Sequence, residues 1–516
     1  MTGIRMPDPA HDVAEIVREI WLAELAVEDV DVTDNFFALG GESIGAAAVV
    51  TAVNRRLDVA IRLKDFYLDA TLGALTAHAL RERGAPSADR SARRMTTRPD
   101  SSPDGPRRAS LGQEWNLLFT ERPSQADAEP FLVQQALRLR GPLHIPEIQR
   151  ALDRVADRHE LLRATFRRSG DEAFLDIAPT HRFALQTFDL GDGSQRARIR
   201  TEADRAFDRY AAPMARCQLF SLSPEDHVLL FVLDHVIADG FSLDILLHDF
   251  SEIYAGNELP PVATPFTAWA ASQRRSAADP TAVKSYWRDK LGSDPTITSA
   301  PFTDYRHPAE EKPDSTSITL AASEIAAVRN AARSRNLTVY SLVLGSFLVS
   351  LRARVREREF CIVTTTANRT SETADTFGPL AHDIYVPVDL TTERDLSESA
   401  EYAQQSTAES LTHALVPNTA IAEMLWPHAG PEVHLLPSFY FSANRSWTGR
   451  FHLTGIHSEE IRFAPQTPMP GLECTLTDGG QKMMLTLGHL ADSFPPGYVH
   501  TLGREVIERI LALPLD

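Results

Sequence analysis

Two side chains in this sequence sit in surroundings that equip a hydroxyl and an imidazole for chemistry. Ser43 lies in Asp34-Asn35-Phe36-Phe37-Ala38-Leu39-Gly40-Gly41-Glu42-Ser43-Ile44, and His235 lies in Asp234-His235-Val236-Ile237-Ala238-Asp239-Gly240. Gly40 and Gly41 permit an open backbone that leaves the Ser43 hydroxyl exposed, and the polar then aromatic lead-in can pack beneath that loop. A serine at a helix start can equally serve only as an N-cap. The run Val228 to Val236 is apolar on both faces, which reads as a buried strand, and it ends in a loop at Asp239-Gly240. Successive strand side chains alternate, so Asp234 and His235 point in opposite directions and only one can face a given cavity. An imidazole in that place can move a proton or be a hydrogen-bonded structural residue.

The elements that must position these two side chains differ in kind. Residues 10 to 82 read as a compact helical unit: Val13, Ile16, Val17, Ile20, Trp21 and Leu25 recur at helical spacing, a second helix begins near Ser43, and Thr71 can cap a third from Leu72 to Leu80. From Arg83 to Arg108 the chain is Ser, Pro, Arg, Asp and Gly with almost no large apolar residue, a linker signature. Residues 1 to 82 hold fourteen Asp and Glu against seven Lys and Arg, whereas 83 to 108 hold seven Arg against three Asp, so an acidic module precedes a basic tether. As a coil, that tether spans about 28 Å. From Ala109 on, helical runs (Ile145 to His159, Ile245 to Tyr254, Ala282 to Leu291, Glu324 to Leu351) alternate with β-branched runs (Val228 to Val236, Phe360 to Thr366, Ile384 to Leu390, Met484 to Leu487), which predicts two α+β lobes with a break near Ser293 to Asp314. The expected division is 1–82, a linker at 83–108, an N-lobe at 109–292 and a C-lobe at 293–516.

Composition narrows the function classes. A length of 516 residues suits several domains, and 43% hydrophobic with 24% charged residues is ordinary for folded globular protein. The net charge of -18 and the lack of a Lys/Arg stripe argue against nucleic acid. Cys217, Cys361 and Cys474 are odd in number and lack C-x-x-C spacing, so neither a disulfide framework nor a metal site is expected, and a reducing cytoplasm is. No run is long enough for a membrane span, so no membrane partner is expected.

The run around Ser43 resembles the signature D-x-F-F-x-L-G-G-[DHE]-S-[LI] of the acyl and peptidyl carrier proteins of thiotemplate synthases, over residues 10 to 82. The resemblance implies a small all-α four-helix carrier domain whose Ser43 receives 4'-phosphopantetheine from a phosphopantetheinyl transferase. The remainder, from 109 to 516, resembles the condensation domains of non-ribosomal peptide synthetases, whose core signature is H-H-x-x-x-D-G. Ser110-Leu111-Gly112-Gln113-Glu114-Trp115, Arg158-His159-Glu160-Leu161-Leu162-Arg163-Ala164-Thr165-Phe166, Ser285-Tyr286-Trp287, Asn368-Arg369 and Phe377-Gly378-Pro379-Leu380 follow the family's other segments in order. This implies two chloramphenicol-acetyltransferase-like lobes forming a V around a tunnel. A carrier-bound thioester would enter from one side and an amine from the other, with His235 at the junction orienting or deprotonating the amine. Asp239 and Gly240 would complete the catalytic motif, with main-chain N–H groups near Gly240 available to an oxyanion.

Two departures from the family pattern stand out. Asp234 replaces the first motif histidine, and Leu380-Ala381-His382-Asp383 replaces F-V-N-T. A buried carboxylate needs a donor, so Asp234 and Asp239 are expected to pair with Arg163 or Arg369, at least one of which should contact Asp239. His382 is either a tunnel residue or a surface or structural histidine. Asp234-x-x-x-x-Asp239-x-x-Ser242 also fits the D-x-x-x-x-D-x-x-S pattern of heterocyclisation domains, which ranks second because Gly240 and His235 belong to the condensation type. The E-G-H-G-R-E run of epimerisation domains is not found. A third reading makes residues 109 to 516 a non-catalytic platform that recruits enzymes to the carrier. Because the carrier precedes the condensation unit, it resembles a donor carrier. With no adenylation segment recognisable, it would be loaded by an upstream adenylation or synthase module and discharged to a downstream acceptor carrier or a free small amine, as in the biosynthesis of peptide antibiotics.

Overall fold

The computed structural model describes residues 9–25, 29–36, 39, 43–57, 59, 61, 65–66, 69–84, 106–120, 130–170, 172–180, 183–190, 195–211, 214–277, 281–299, 302–308, 312–370, 372–414, 416–429, 438–445, 451–461, 471–479 and 482–514. Most of the linker, and Phe37, Ala38 and Gly40 to Glu42 before Ser43, lie outside these residues, so the expected tether and open glycine loop do too.

Among the described residues the first unit contains the helices α1 (Pro9–Leu25), α2 (Ser43–Leu57) and α3 (Leu72–Gly84); residues 65 and 66 are also helical. Val13, Val17 and Trp21 fall on one face of α1 and are fully buried against Val49, Val53 and Leu75 of its neighbours. Trp21, Phe36 and Phe66 meet edge to face at ring separations of 5.3 to 5.9 Å, each contact adding about 1 kcal/mol beyond simple burial. The lead-in to Ser43 is tied to the start of α3: Phe36 N donates to Ala70 O at 2.8 Å and Leu72 N to Asp34 O at 3.1 Å. Thr71 caps α3 by accepting from Ala74 N at 3.2 Å.

Among the described residues the second part holds fourteen strands. They are β1 (Arg107–Arg108), β2 (Leu132–Arg140), β3 (Ala164–Ser169), β4 (Glu172–Ile177), β5 (Leu185–Asp189), β6 (Ala215–Ser223) and β7 (Asp226–Asp234), followed by β8 (Pro313–Leu320), β9 (Glu359–Thr366), β10 (His382–Asp389), β11 (Ser438–Arg445), β12 (His457–Ile461), β13 (Gly471–Asp478) and β14 (Met483–Leu490). β1, β4 and β3 form a small sheet, a five-stranded sheet runs β12-β2-β7-β6-β5, and a six-stranded sheet runs β10-β9-β11-β13-β14-β8. Helices α4 (Leu111–Thr120), α5 (Ile145–Arg158), α6 (Gln195–Ala203) and α7 (Gly240–Tyr254) accompany the five-stranded sheet in sequence. α5 shows why: Ile148, Ala151, Leu152, Val155 and Ala156 form a buried stripe, with Pro146 at its first turn and Arg158 in its last. That stripe packs on α7 and shares a core with Leu229, Phe231 and Leu233 of β7.

α8 (Phe266–Ser276) and α9 (Thr281–Leu291) lead to the second lobe, where α10 (Ala322–Ser334), α11 (Val339–Leu351), α12 (Leu396–Thr412), α13 (Asn418–Leu425) and α14 (Tyr498–Leu511) surround the six-stranded sheet. One sheet face, through Phe439, Phe441, Cys474 and Leu485, packs on α11 and α14. The lobes are not sequential. β12 pairs with β2, and Phe451, Leu453 and Ile456 join the first lobe's core, so the expected C-lobe of 293–516 is corrected: around residues 451–461 it hands a strand back to the N-lobe.

Candidate active site

β7 ends at Asp234, with every residue from His227 to Asp234 buried, and the chain turns there. Ile237 N closes that turn on Asp234 O at 3.0 Å. From α4, Gln113 donates to Val236 O at 2.8 Å, and Gln113 and Ser110 hold each other's main chain. The opening Ser110…Gln113 segment thus clamps the turn that displays His235.

His235 is half-buried and its ring stacks on that of Phe131, with centroids 4.3 Å apart and planes 12° from parallel, while its main-chain N donates to Phe131 O at 3.0 Å. Burial pushes the imidazole below its ordinary range, against the opposing fields of Asp239, Asp234 and Asp383 and a contact with its own main-chain carbonyl. The ring is therefore neutral near pH 7.

Asp234 turns away from this space. Its carboxylate takes Arg209 Nε at 2.9 Å and Val236 N at 3.0 Å, and Arg209 also bonds Thr120. Arg209 therefore fills the role expected of Arg163 or Arg369. Arg163 is corrected altogether: its guanidinium holds the main-chain carbonyls of Ala156, Ala178 and Pro179, away from either aspartate.

Asp239 caps α7. It accepts from Ser242 N and Oγ (both 2.7 Å), from both terminal nitrogens of Arg369 (2.8 and 3.0 Å), and from Leu380 N and Ala381 N (3.0 and 2.9 Å). Burial alone would raise its pKa, but the Arg369 charge and these donors outweigh that and hold it below the usual carboxylate range. These donors occupy both carboxylate oxygens of Asp239 and tie the start of α7 to the segment from Arg369 to Ala381. Gly240 is the first residue of α7. Asn368 adopts the left-handed region (φ 48°) that aims Arg369 across the lobes, and Ser242 Oγ is paired with Gly378 O and N. Gly378, at φ 153°, leaves no room for a side chain, since a Cβ would lie 2.2 Å from the Phe266 ring. The Arg158-His159-Glu160 segment is structural as well: Arg158 and His159 bond Asp249 at 2.7 and 2.8 Å, and Glu160 accepts from Thr267 N.

His382 opens β10 and contacts Asn368 at 3.3 Å through Nδ1. Burial drives its pKa down to about 4, so the ring is neutral near pH 7. Its neighbour Asp383, which sequence reasoning passed over, lies on the other face of β10 and shares an electrostatic interaction with His235. Asp383 accepts from Thr365 Oγ1 and Tyr440 Oη, both at 2.9 Å, and Thr365 and Tyr440 contact each other. Tyr440 is paired in register with Glu473 of β13. The one available signal was that Asp383 replaces a threonine in the F-V-N-T segment.

Ser43 opens α2, whose first turn holds no acidic residue. The N–H groups of a helix's first turn and the positive end of its dipole favour a phosphodiester at that position, so a helix start at Ser43 suits the expected prosthetic group.

Residues 115–441 match the model of the condensation domain, and residues 15–79 match that of the phosphopantetheine attachment site. The chain belongs to the condensation domain family. It is a peptidyl carrier followed by a condensation domain. Tyrocidine synthase 2 of Brevibacillus parabrevis is 26% identical over 433 residues, covering 82% of this chain and 12% of that protein. Nonribosomal peptide synthetase kk1B of Curvularia clavata is 32% identical over 274 residues, covering 51% and 2%. The chain thus spans a small part of these relatives. The X-domain from teicoplanin biosynthesis has the same fold, with a TM-score of 0.68 at 22% identity over 80% of this chain and 95% of that one. Among the described residues, no helix is long and apolar enough to cross a membrane.

Proposed function

We propose that this chain forms an amide, transferring an acyl group from a thioester carried on Ser43 to an amine that reacts beside His235. The observation that carries this reading is a half-buried imidazole at a strand end, one face covered by Phe131 and its pKa pushed down by burial. When attached to Ser43, phosphopantetheine supplies a flexible arm ending in the thiol that forms the thioester. His235 accepts a hydrogen bond from the attacking amine and fixes its lone pair toward the acyl carbon. The C–N bond forms as the C–S bond breaks, and the proton lost by nitrogen passes through the His235 imidazole to the departing thiolate. Asp239, Arg369 and Gln113 hold the turn, and Asp234 with Arg209 keeps the preceding residue out of the site. A transferase that modifies Ser43, a module that loads it and an acceptor, either carrier-bound or free, are the implied partners. Three buried free cysteines suit a reducing cytoplasm.

The test loads Ser43 enzymatically with acyl-pantetheine and follows release by intact-protein mass spectrometry as amines or charged carriers are added. His235→Ala should slow discharge by about 100-fold or more while the melting curve stays native. Equal discharge by the variant would favour the recruitment platform. Loss of a second water with a cysteine acceptor would favour heterocyclisation.

A further inference from the structure

The polar face of the six-stranded sheet carries two carboxyls that the reaction at His235 does not use up. Asp383, Thr365, Tyr440 and Glu473 run across adjacent strands β10, β9, β11 and β13, each retaining some accessible surface. Asp383 is bonded to two hydroxyls. Glu473 has no hydrogen-bond or ion-pair partner among the described residues, and the charged group felt by it is Asp383, of like sign. For Asp383 the one cationic influence is the weakly basic His235. A half-buried carboxylate without a counter-ion is disfavoured, and such a group is stabilised by a cation brought from outside. Gly488, the register partner of Glu473, has no side chain, and among the described residues a Cβ there would meet only Glu473, at 3.8 Å from Cβ and 3.9 Å from Oε2.

We propose that the acceptor amine carries a second, protonated nitrogen, which Glu473 holds as its counter-ion on this face while the first nitrogen reacts at His235. The inference rests on the reading that an amine is acylated there. The attacking nitrogen must be uncharged, so the group that stays positive beside Glu473 has to be another one. Free diamines and carrier-bound amino acids with a basic side chain share this chemistry.

The full chain, loaded on Ser43, is challenged with cadaverine against aminopentanol, in which a hydroxyl replaces the second amine, and with lysyl-pantetheine against norleucyl-pantetheine. The first pair probes a free acceptor and the second a tethered one. Exchange of a charge-assisted contact for a neutral one predicts a preference of about tenfold in kcat/KM for the dibasic member of at least one pair. Glu473→Gln should abolish that preference, Glu473→Asp should restore part of it, and Gly488→Val should reduce it by filling the space without altering charge. No preference in the wild type, or one that survives Glu473→Gln, overturns the proposal. Calorimetry with cadaverine on wild type, His235→Ala and Glu473→Gln separates the two readings. Binding that persists in His235→Ala and is lost in Glu473→Gln supports the cation site even if no acceptor discharges the carrier; absence of binding in the wild type overturns it.

Discussion

Asp239, buried, and Asp383, half-buried, are both carboxylates whose charge reaches His235, yet their surroundings differ in kind. Asp239 receives six donors, two from a guanidinium, and its pKa is held low. Asp383 has two hydroxyls and no guanidinium, and burial raises its pKa. The first arrangement spends all of the acceptor's capacity on holding α7 against the segment from Arg369 to Ala381. The second leaves a carboxyl whose charge is not matched by the protein, which is the condition for responding to a bound molecule.

The largest effect should come from breaking the saturated corner. Arg369→Ala strands Asp239 without its cation in a dry site, and a loss of about 3–5 kcal/mol is expected. Asp383→Asn removes a poorly matched charge, keeps the shape, and should change stability by about 1 kcal/mol or less. Urea denaturation of both variants tests the contrast. Equal losses would mean that the two corners do the same structural work.

Much of this arrangement was legible from residue order. The start of α2 at Ser43 and the apolar run of β7 each depend on local pattern, and the segment at Asn368-Arg369 followed from the family resemblance, whereas the capping box of Asp239 with Ser242 emerged only from the structure. What escaped was decided by tertiary pairing. Arg209 reaches Asp234 from 25 residues away, and no spacing rule distinguishes it from Arg163, which a neighbouring loop consumes with its carbonyls. The return of β12 to β2 rests on five residues that read equally well in either lobe. Asp383 was overlooked because attention fell on the titratable histidine beside it, although strand alternation puts the two side chains on opposite faces.

A middle-sized effect lies in the pH profile of discharge. His235 has its pKa depressed by burial, so it gains its proton only below its ordinary 6.5, and the acid limb of the rate should fall below that pH. Asp383 opposes the depression. Asp383→Asn should therefore move the acid limb to lower pH, by no more than removal of the Asp234 charge, which acts on the ring at least as strongly. An acid limb at or above 6.5 in the wild type would contradict the burial of the ring.

The smallest effect concerns the far end of the same face. Burial, and after it the charge of Asp383, raises the Glu473 pKa from 4.5 to about 7. Below 4.5 the carboxyl is protonated in folded and unfolded chains alike and costs nothing. Between 4.5 and 7 the folded chain binds the additional proton, so stability falls as pH rises, and above 7 the penalty is complete. Glu473→Gln removes the ionisation, so the variant should equal the wild type at pH 4 and exceed it at pH 8, by denaturant midpoint. A saturating diamine should narrow that gap by stabilising the wild type alone. A variant less stable than the wild type at pH 8 without any ligand would mean that Glu473 already has a cation within the protein, and the contrast between the two corners would fail at its acidic end.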